Sequence, residues 1–197
     1  MKYNSICVAI AIFALLSLGL RAQTPVQEED LDERYATNLL KAGTLAPDFT
    51  LNDLKGNPVS FSSFKGKKVV LVFWASWCPD CRAEVPGLKA LYNKSDKEEV
   101  AFVSVSFDRS LEALKAFDKE NDLPGIQLFD PAGKKESTVA AAYGVLWIPS
   151  LYLIDSQGNV VLGTVVLDKI EESLYGSGKN HTLKASREVC SDESCAN

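Results

Sequence analysis

The chain has 197 residues, 46% of them hydrophobic and 24% charged, which suits one globular domain with appendages and a core that needs no staples. Its formal net charge of −5 argues against nucleic acid as a partner. Five cysteines stand beside a single histidine, His181, in a polar tail, so a histidine-built metal centre is not expected.

Residues 1–22 read as an export signal: Lys2 gives the positive start, residues 6–20 are nearly all apolar, and Ala22 is a suitable last residue before cleavage. The competing reading is an uncleaved anchor, but fifteen helical residues at about 1.5 Å each reach roughly 22 Å, short of a ~30 Å hydrocarbon core. Cleavage would remove Cys7, Lys2 and Arg21 and leave the mature chain more acidic, with an even number of cysteines. Residues 23–42 read as an acidic linker leading into a short amphipathic helix with Leu31, Tyr35, Leu39 and Leu40 at helical spacing. That helix either packs on the domain or only spaces it from a membrane.

Residues 46–64 predict a β-hairpin, with Phe49 and Leu51 going out, Gly56 in the turn, and Val59 and Phe61 returning. Residues 69–73, Val-Val-Leu-Val-Phe, form the continuous β-branched apolar run of a strand covered on both faces. A helix over 79–94 follows, burying Val85, Leu88, Leu91 and Tyr92, with Pro86 expected to kink it. Beyond it come a strand over 100–107, a helix capped by Ser110 and running to 120, a strand over 126–129 and a helix over 134–143 closed by Gly144. A hairpin of 151–154 and 160–163 and a closing helix over 168–175 complete the pattern. Such alternation gives an α/β fold, a central mixed β-sheet flanked by helices.

The chemistry is concentrated at Trp77-Cys78-Pro79-Asp80-Cys81, between the buried strand and its helix. A helix N-terminus offers partial positive charge and unpaired N–H groups, and these stabilise a thiolate, the attacking species. Cys78 is therefore the expected nucleophile. Cys81, one turn in and expected to be the less exposed, is the resolving thiol. Half of a zinc site is the alternative, and its second ligand pair would have to come from Cys190 and Cys195. Asp80 lies between the cysteines, and its charge should make the pair more reducing. Trp74 is read as core and Trp77 as a lid on the cysteine face.

Residues 73–86, Phe-Trp-Ala-Ser-Trp-Cys-Pro-Asp-Cys-Arg-Ala-Glu-Val-Pro, resemble exported bacterial thioredoxin-like proteins of the TlpA/ResA type. Ala46-Pro47-Asp48-Phe49 and Trp147-Ile148-Pro149-Ser150 match further landmarks of that group, and the resemblance covers roughly residues 43–175. It implies a thioredoxin fold with an N-terminal β-hairpin and an inserted helix–strand, and thiol–disulfide exchange with protein substrates. On this reading 1–22 is the signal, 23–42 the linker, 43–176 the thioredoxin domain and 177–197 a flexible tail. The resemblance also implies a cis Pro149 facing the cysteines, with Trp77, Ile148 and Pro149 binding an extended substrate strand. It makes Glu84, on the same helix face as Cys81, a partly buried proton shuttle; Trp147 departs from the group's usual smaller residue.

The expected activity is thus a thiol–disulfide oxidoreductase of the periplasm or cell envelope that reduces disulfides in exported proteins through its Cys-Pro-Asp-Cys dithiol. It is expected to work as a monomer without an organic cofactor or metal and to receive electrons from a membrane donor. One alternative is a peroxiredoxin-like peroxidase, disfavoured by Ala75 where that group places threonine; another is a non-enzymatic dithiol copper carrier. Cys190 and Cys195 could form a local tail disulfide or, less simply, exchange with Cys78–Cys81.

Overall fold

The computed structural model describes residues 30–176. The expected signal at 1–22, the first part of the linker (23–29), and the tail with Cys190 and Cys195 lie outside the described residues. In chain order the elements are α1 (Leu31–Tyr35), β1 (Thr50–Asp53), β2 (Pro58–Ser60), a 3-10 turn (Phe61–Phe64), β3 (Lys68–Trp74), α2 (Pro79–Lys94), β4 (Val100–Ser106) and α3 (Leu111–Asn121). There follow β5 (Ile126–Phe129), α4 (Gly133–Glu136), α5 (Thr138–Ala142), β6 (Ser150–Ile154), β7 (Val160–Thr164) and α6 (Leu167–Tyr175).

The strands form one seven-stranded mixed sheet in the order β2-β1-β5-β4-β3-β6-β7. β3 sits near its middle, parallel to β4 and antiparallel to β6, and every residue from Val69 to Trp74 is buried. This is why its sequence shows no polar alternation: helices cover both faces. The thioredoxin fold expected from the sequence is therefore present, with β1–β2 as the leading hairpin.

Two local expectations need correction. The N-terminal helix stops at Tyr35, and Leu39 is buried from a turn beyond it rather than from a longer helix. A helix of five residues cannot stand alone. It is held because the Asp32 carboxylate accepts from Thr164 Oγ1 and Val165 N, each at 2.8 Å, while Lys169 bridges Asp30 and Asp32. The helix expected over 134–143 is split: Ser137 adopts extended ψ 118° and its Oγ accepts from Ala140 N at 2.8 Å, restarting the chain as α5. Pro86 lies inside α2, which continues from Pro79 to Lys94 with Pro86 on its exposed side.

The N-terminal segment packs on the domain through two buried tyrosines. Tyr152 donates to Tyr143 O and accepts from Leu40 N at 2.9 Å, and Tyr143 donates to Pro47 O at 2.7 Å. Gly144 has φ 66°, and a Cβ there would lie 2.0 Å from Asn38 O, so only glycine closes this corner. Burial pushes the Tyr152 hydroxyl up to about 12, and Tyr143 higher still.

A phenol with a raised folded value stabilises the fold below its unfolded value of about 10 and loses that contribution as pH climbs through the folded one. The part of the stability that Tyr152 supplies, read as the difference in urea unfolding between the parent and Tyr152→Phe, is therefore expected to stay constant up to about pH 10 and to shrink between there and pH 12. Tyr152→Phe should cost about 1–3 kcal/mol at pH 8, since Leu40 N and Tyr143 O lose a buried partner, and should flatten part of the alkaline fall.

Candidate active site

β3 delivers the chain to the carboxyl edge of the sheet, and Ala75–Trp77 turn it into α2. Cys78 is the N-cap of that helix, with φ −82° and ψ 119°, and Pro79 occupies the first helical position, where a missing N–H costs nothing. Cys81 N donates to Cys78 Sγ at 3.4 Å. The backbone thus supplies the hydrogen bond that serine or aspartate side chains usually receive at an N-cap. Here the recipient is sulfur, and its anionic form gains most from the donor and from the helix dipole.

The two thiols are unequal, though not in the way the sequence suggested. Both are buried, Cys78 at 0% and Cys81 at 3% exposure, so Cys78 is not the more open of the two. The strand-leading loop accounts for it: Cys78 Sγ donates to Ile148 O at 3.6 Å. The hydrogen bonding separates them instead, since Cys78 Sγ receives the Cys81 N–H. Burial pushes the Cys81 thiol well above its usual value, the hydrogen bond with Cys78 and that residue's charge raise it further, and Asp80 adds a smaller push in the same direction. Asp80 therefore acts on Cys81.

The Ile148–Pro149 peptide bond is cis, and Pro149 lines a small cavity together with Cys81 and Glu84. Ile148 is fully buried. Glu84 is half-buried on α2, between the buried Cys81 and Val85 and the exposed face. Trp74 is in the core, packed on Phe117 with ring centroids 5.6 Å apart. Trp77 is half-buried, and its Nε1 donates to Phe107 O at 3.4 Å, which ties it to the end of β4. Among the described residues no group of three or more His, Cys, Asp or Glu is placed to hold a metal ion.

Two residues with a part in this arrangement were not legible in advance. Asp108, 3% exposed, accepts from Ser76 N at 3.1 Å, Ser76 Oγ at 2.6 Å and Ser106 Oγ at 2.8 Å. It clamps the turn that precedes Cys78 onto the end of β4. Its position just past the carboxyl end of a strand beside β3 is the signal that could have found it, because ligand and catalytic groups in parallel sheets gather at that edge. Tyr35 stacks on Trp147 with centroids 4.5 Å apart and 28° between planes, so the N-terminal segment braces the loop carrying Ile148 and Pro149.

Comparison with known proteins agrees with this geometry. Residues 42–162 match the AhpC/TSA family. Over 138 residues the chain is 34% identical to the thiol-disulfide oxidoreductase ResA of Bacillus thuringiensis subsp. konkukian, covering 68% of this chain and 78% of that protein. It is 35% identical over 141 residues to the thioredoxin-like protein YneN of Bacillus subtilis, covering 68% and 79%. Among solved structures, it is similar to the thioredoxin domain of a thiol-disulfide oxidoreductase from Bacteroides vulgatus, at TM-score 0.63 and 32% identity over 68% of this chain and 96% of that one. A thiol:disulfide interchange protein from Bacteroides sp. matches at TM-score 0.62 and 32% identity, over 72% and 94%. The chain belongs to the AhpC/TSA family and is an oxidoreductase of its thioredoxin-like branch.

Asp108→Ala would leave the buried Ser76 N–H and hydroxyl without an acceptor and is expected to cost about 1–3 kcal/mol in urea unfolding, with slower alkylation of Cys78. Asp108→Asn keeps an acceptor oxygen and should stay closer to the parent in both measurements. A stability loss below about 0.5 kcal/mol for Asp108→Ala would remove the clamp from this description.

Proposed function

We propose, on the premise of that membership, that the protein is exported and reduces disulfides in other proteins of the cell envelope. The observation that carries this reading is the inequality of the two thiols: Cys78 receives a backbone N–H at the start of α2, while Cys81 is held as a protonated thiol by burial and by Cys78. Cys78 attacks a sulfur of the substrate disulfide, forming a mixed disulfide and releasing the first substrate thiolate. Cys81 then attacks the Cys78 sulfur, the second substrate thiolate leaves, and the chain is left with a Cys78–Cys81 disulfide. Two electrons have passed to the substrate. Glu84 takes the proton that Cys81 gives up.

An extended substrate strand lies along Trp77, Ile148 and Pro149, and the substrate displaces the Cys78 S–H contact to Ile148 O as it docks. A membrane protein returns two electrons to the oxidised pair, and the chain acts as a monomer. Export rests on the apolar stretch at 6–20, read as a signal. Among the described residues no helix is long and apolar enough to cross a membrane.

In the full chain, Cys81→Ser should accumulate a mixed disulfide with a protein substrate, and Cys78→Ser should not. Identification of captured proteins that lack disulfides would contradict the reading. Because Asp80 disfavours the charged dithiol, a glutathione or dithiothreitol redox titration is expected to place the potential nearer about −270 mV than −120 mV. A value above about −180 mV would reverse the assigned direction of electron flow.

A further inference from the structure

The loop over 143–149, between α5 and β6, brings Ile148 against Cys78. Three successive carbonyls of this loop are tied down from different directions. Leu146 O accepts from Lys134 Nζ at 2.8 Å, Trp147 O from Ser150 Oγ at 2.7 Å and Ile148 O from Cys78 Sγ at 3.6 Å. The side chains are held unevenly. Val145, Ile148 and Pro149 are buried, whereas Trp147 is half-buried and Leu146 is 63% exposed.

Trp147 finds its second surface in the N-terminal segment. Its ring stacks on Tyr35 of α1, with centroids 4.5 Å apart and 28° between planes, and the Arg34 guanidinium lies 5.2 Å from the centre of the same tyrosine ring. Tyr35 is three residues on from Asp32, so the two share a face of α1. The Asp32 carboxylate is bound by Thr164 Oγ1, Val165 N and Lys169 Nζ. Asp32 therefore fixes α1 against β7 and α6, and Tyr35 carries that fixed point across to the loop. Stacked aromatic faces have a preferred offset, so the pair resists sliding as well as separation. The segment does not need the stack to stay on the domain, because the Leu40–Tyr152 and Pro47–Tyr143 bonds hold it there. What the stack adds is a defined place for the loop.

We propose that Tyr35 is a positioning residue for exchange with protein disulfides: by backing Trp147 it fixes the Ile148–Pro149 edge relative to Cys78, so that a substrate strand docks on a preformed surface. This rests on the proposed function, in which that edge receives an extended strand. Tyr35 touches no reacting atom. An edge that each incoming strand had to order would bind more weakly, so the stack acts on substrate binding and not on the sulfur chemistry. A small disulfide needs the Cys78 sulfur and no docking edge. The stack thus favours protein substrates over small ones.

The test compares two substrates of the full chain: fluorescein-labelled insulin, reduced at steady state with dithiothreitol as the electron source, and 5,5′-dithiobis(2-nitrobenzoate), mixed with the reduced chain in a stopped-flow instrument. Tyr35→Leu keeps an apolar side chain and removes the flat ring. It is expected to raise KM for insulin about three- to ten-fold with kcat within about two-fold of the parent, and to react with the small disulfide no more slowly than the parent. Tyr35→Phe keeps the ring and should match the parent on both. Trp147→Leu should raise KM as Tyr35→Leu does, and combining the two should add little, because they act as one unit. A KM for Tyr35→Leu within about two-fold of the parent, or equal losses on the two substrates, would overturn the proposal. Amide hydrogen exchange over 144–148 reads the loop independently of turnover. Faster exchange there in Tyr35→Leu and parent-like exchange in Tyr35→Phe are expected, and unchanged exchange in Tyr35→Leu would overturn the proposal. Failure of the underlying function shows differently, as a parent chain that reduces no insulin, and it would take the proposal with it.

Discussion

The structure depends on a single contact, the Cys81 amide donating to Cys78 Sγ at the first turn of α2. A backbone N–H is a fixed donor: it cannot rotate away, and it comes with the dipole of a sixteen-residue helix behind it. Sulfur anion gains from this and neutral thiol gains little, so the contact favours one charge state of one cysteine. The same proximity works against Cys81, whose ionisation burial and the neighbouring sulfur oppose. Under the proposed function, this one local geometry is what divides two chemically identical side chains into a leading and a following thiol.

Holding that turn in place is the work of the surrounding fold. β3 is fixed by pairing along its length to β4 and β6, which sets where the turn begins. Asp108 then pins Ser76, and Trp77 reaches Phe107 O, so the turn is joined to the end of β4 by side chains as well as by strand pairing. On the other side, Ile148 O meets Cys78 Sγ, and the loop that presents it is braced by Tyr35 against Trp147. The N-terminal segment is therefore part of the support for the site, through Asp32, Tyr35 and the Leu40–Tyr152 bond.

The parts legible in sequence were those written in local pattern. The apolar run at 69–73, Pro79 after Cys78 and the spacing to Cys81 identify strand, helix start and dithiol because each signal lies within a few residues of its structural consequence. Helix α2 and strand β5 fall where periodicity puts them. The split at Ser137 was missed because a serine inside a helical pattern reads as tolerable until its hydroxyl is seen capping Ala140. Asp108 and Tyr35 were missed for a different reason: their partners, Ser76 and Trp147, lie 32 and 112 residues away, and no local pattern records such pairs. The burial of Cys78 has the same origin, since it is imposed by Ile148, 70 residues on.

The division of labour between the two thiols is tested most directly by mapping alkylation. The reduced full chain would be treated with limiting iodoacetamide across a pH series and the modified cysteine identified by peptide mass spectrometry. The account predicts that Cys78 is carboxamidomethylated at neutral pH while Cys81 stays unmodified until strongly alkaline pH. Equal labelling of both at neutral pH, or labelling of Cys81 first, would contradict it.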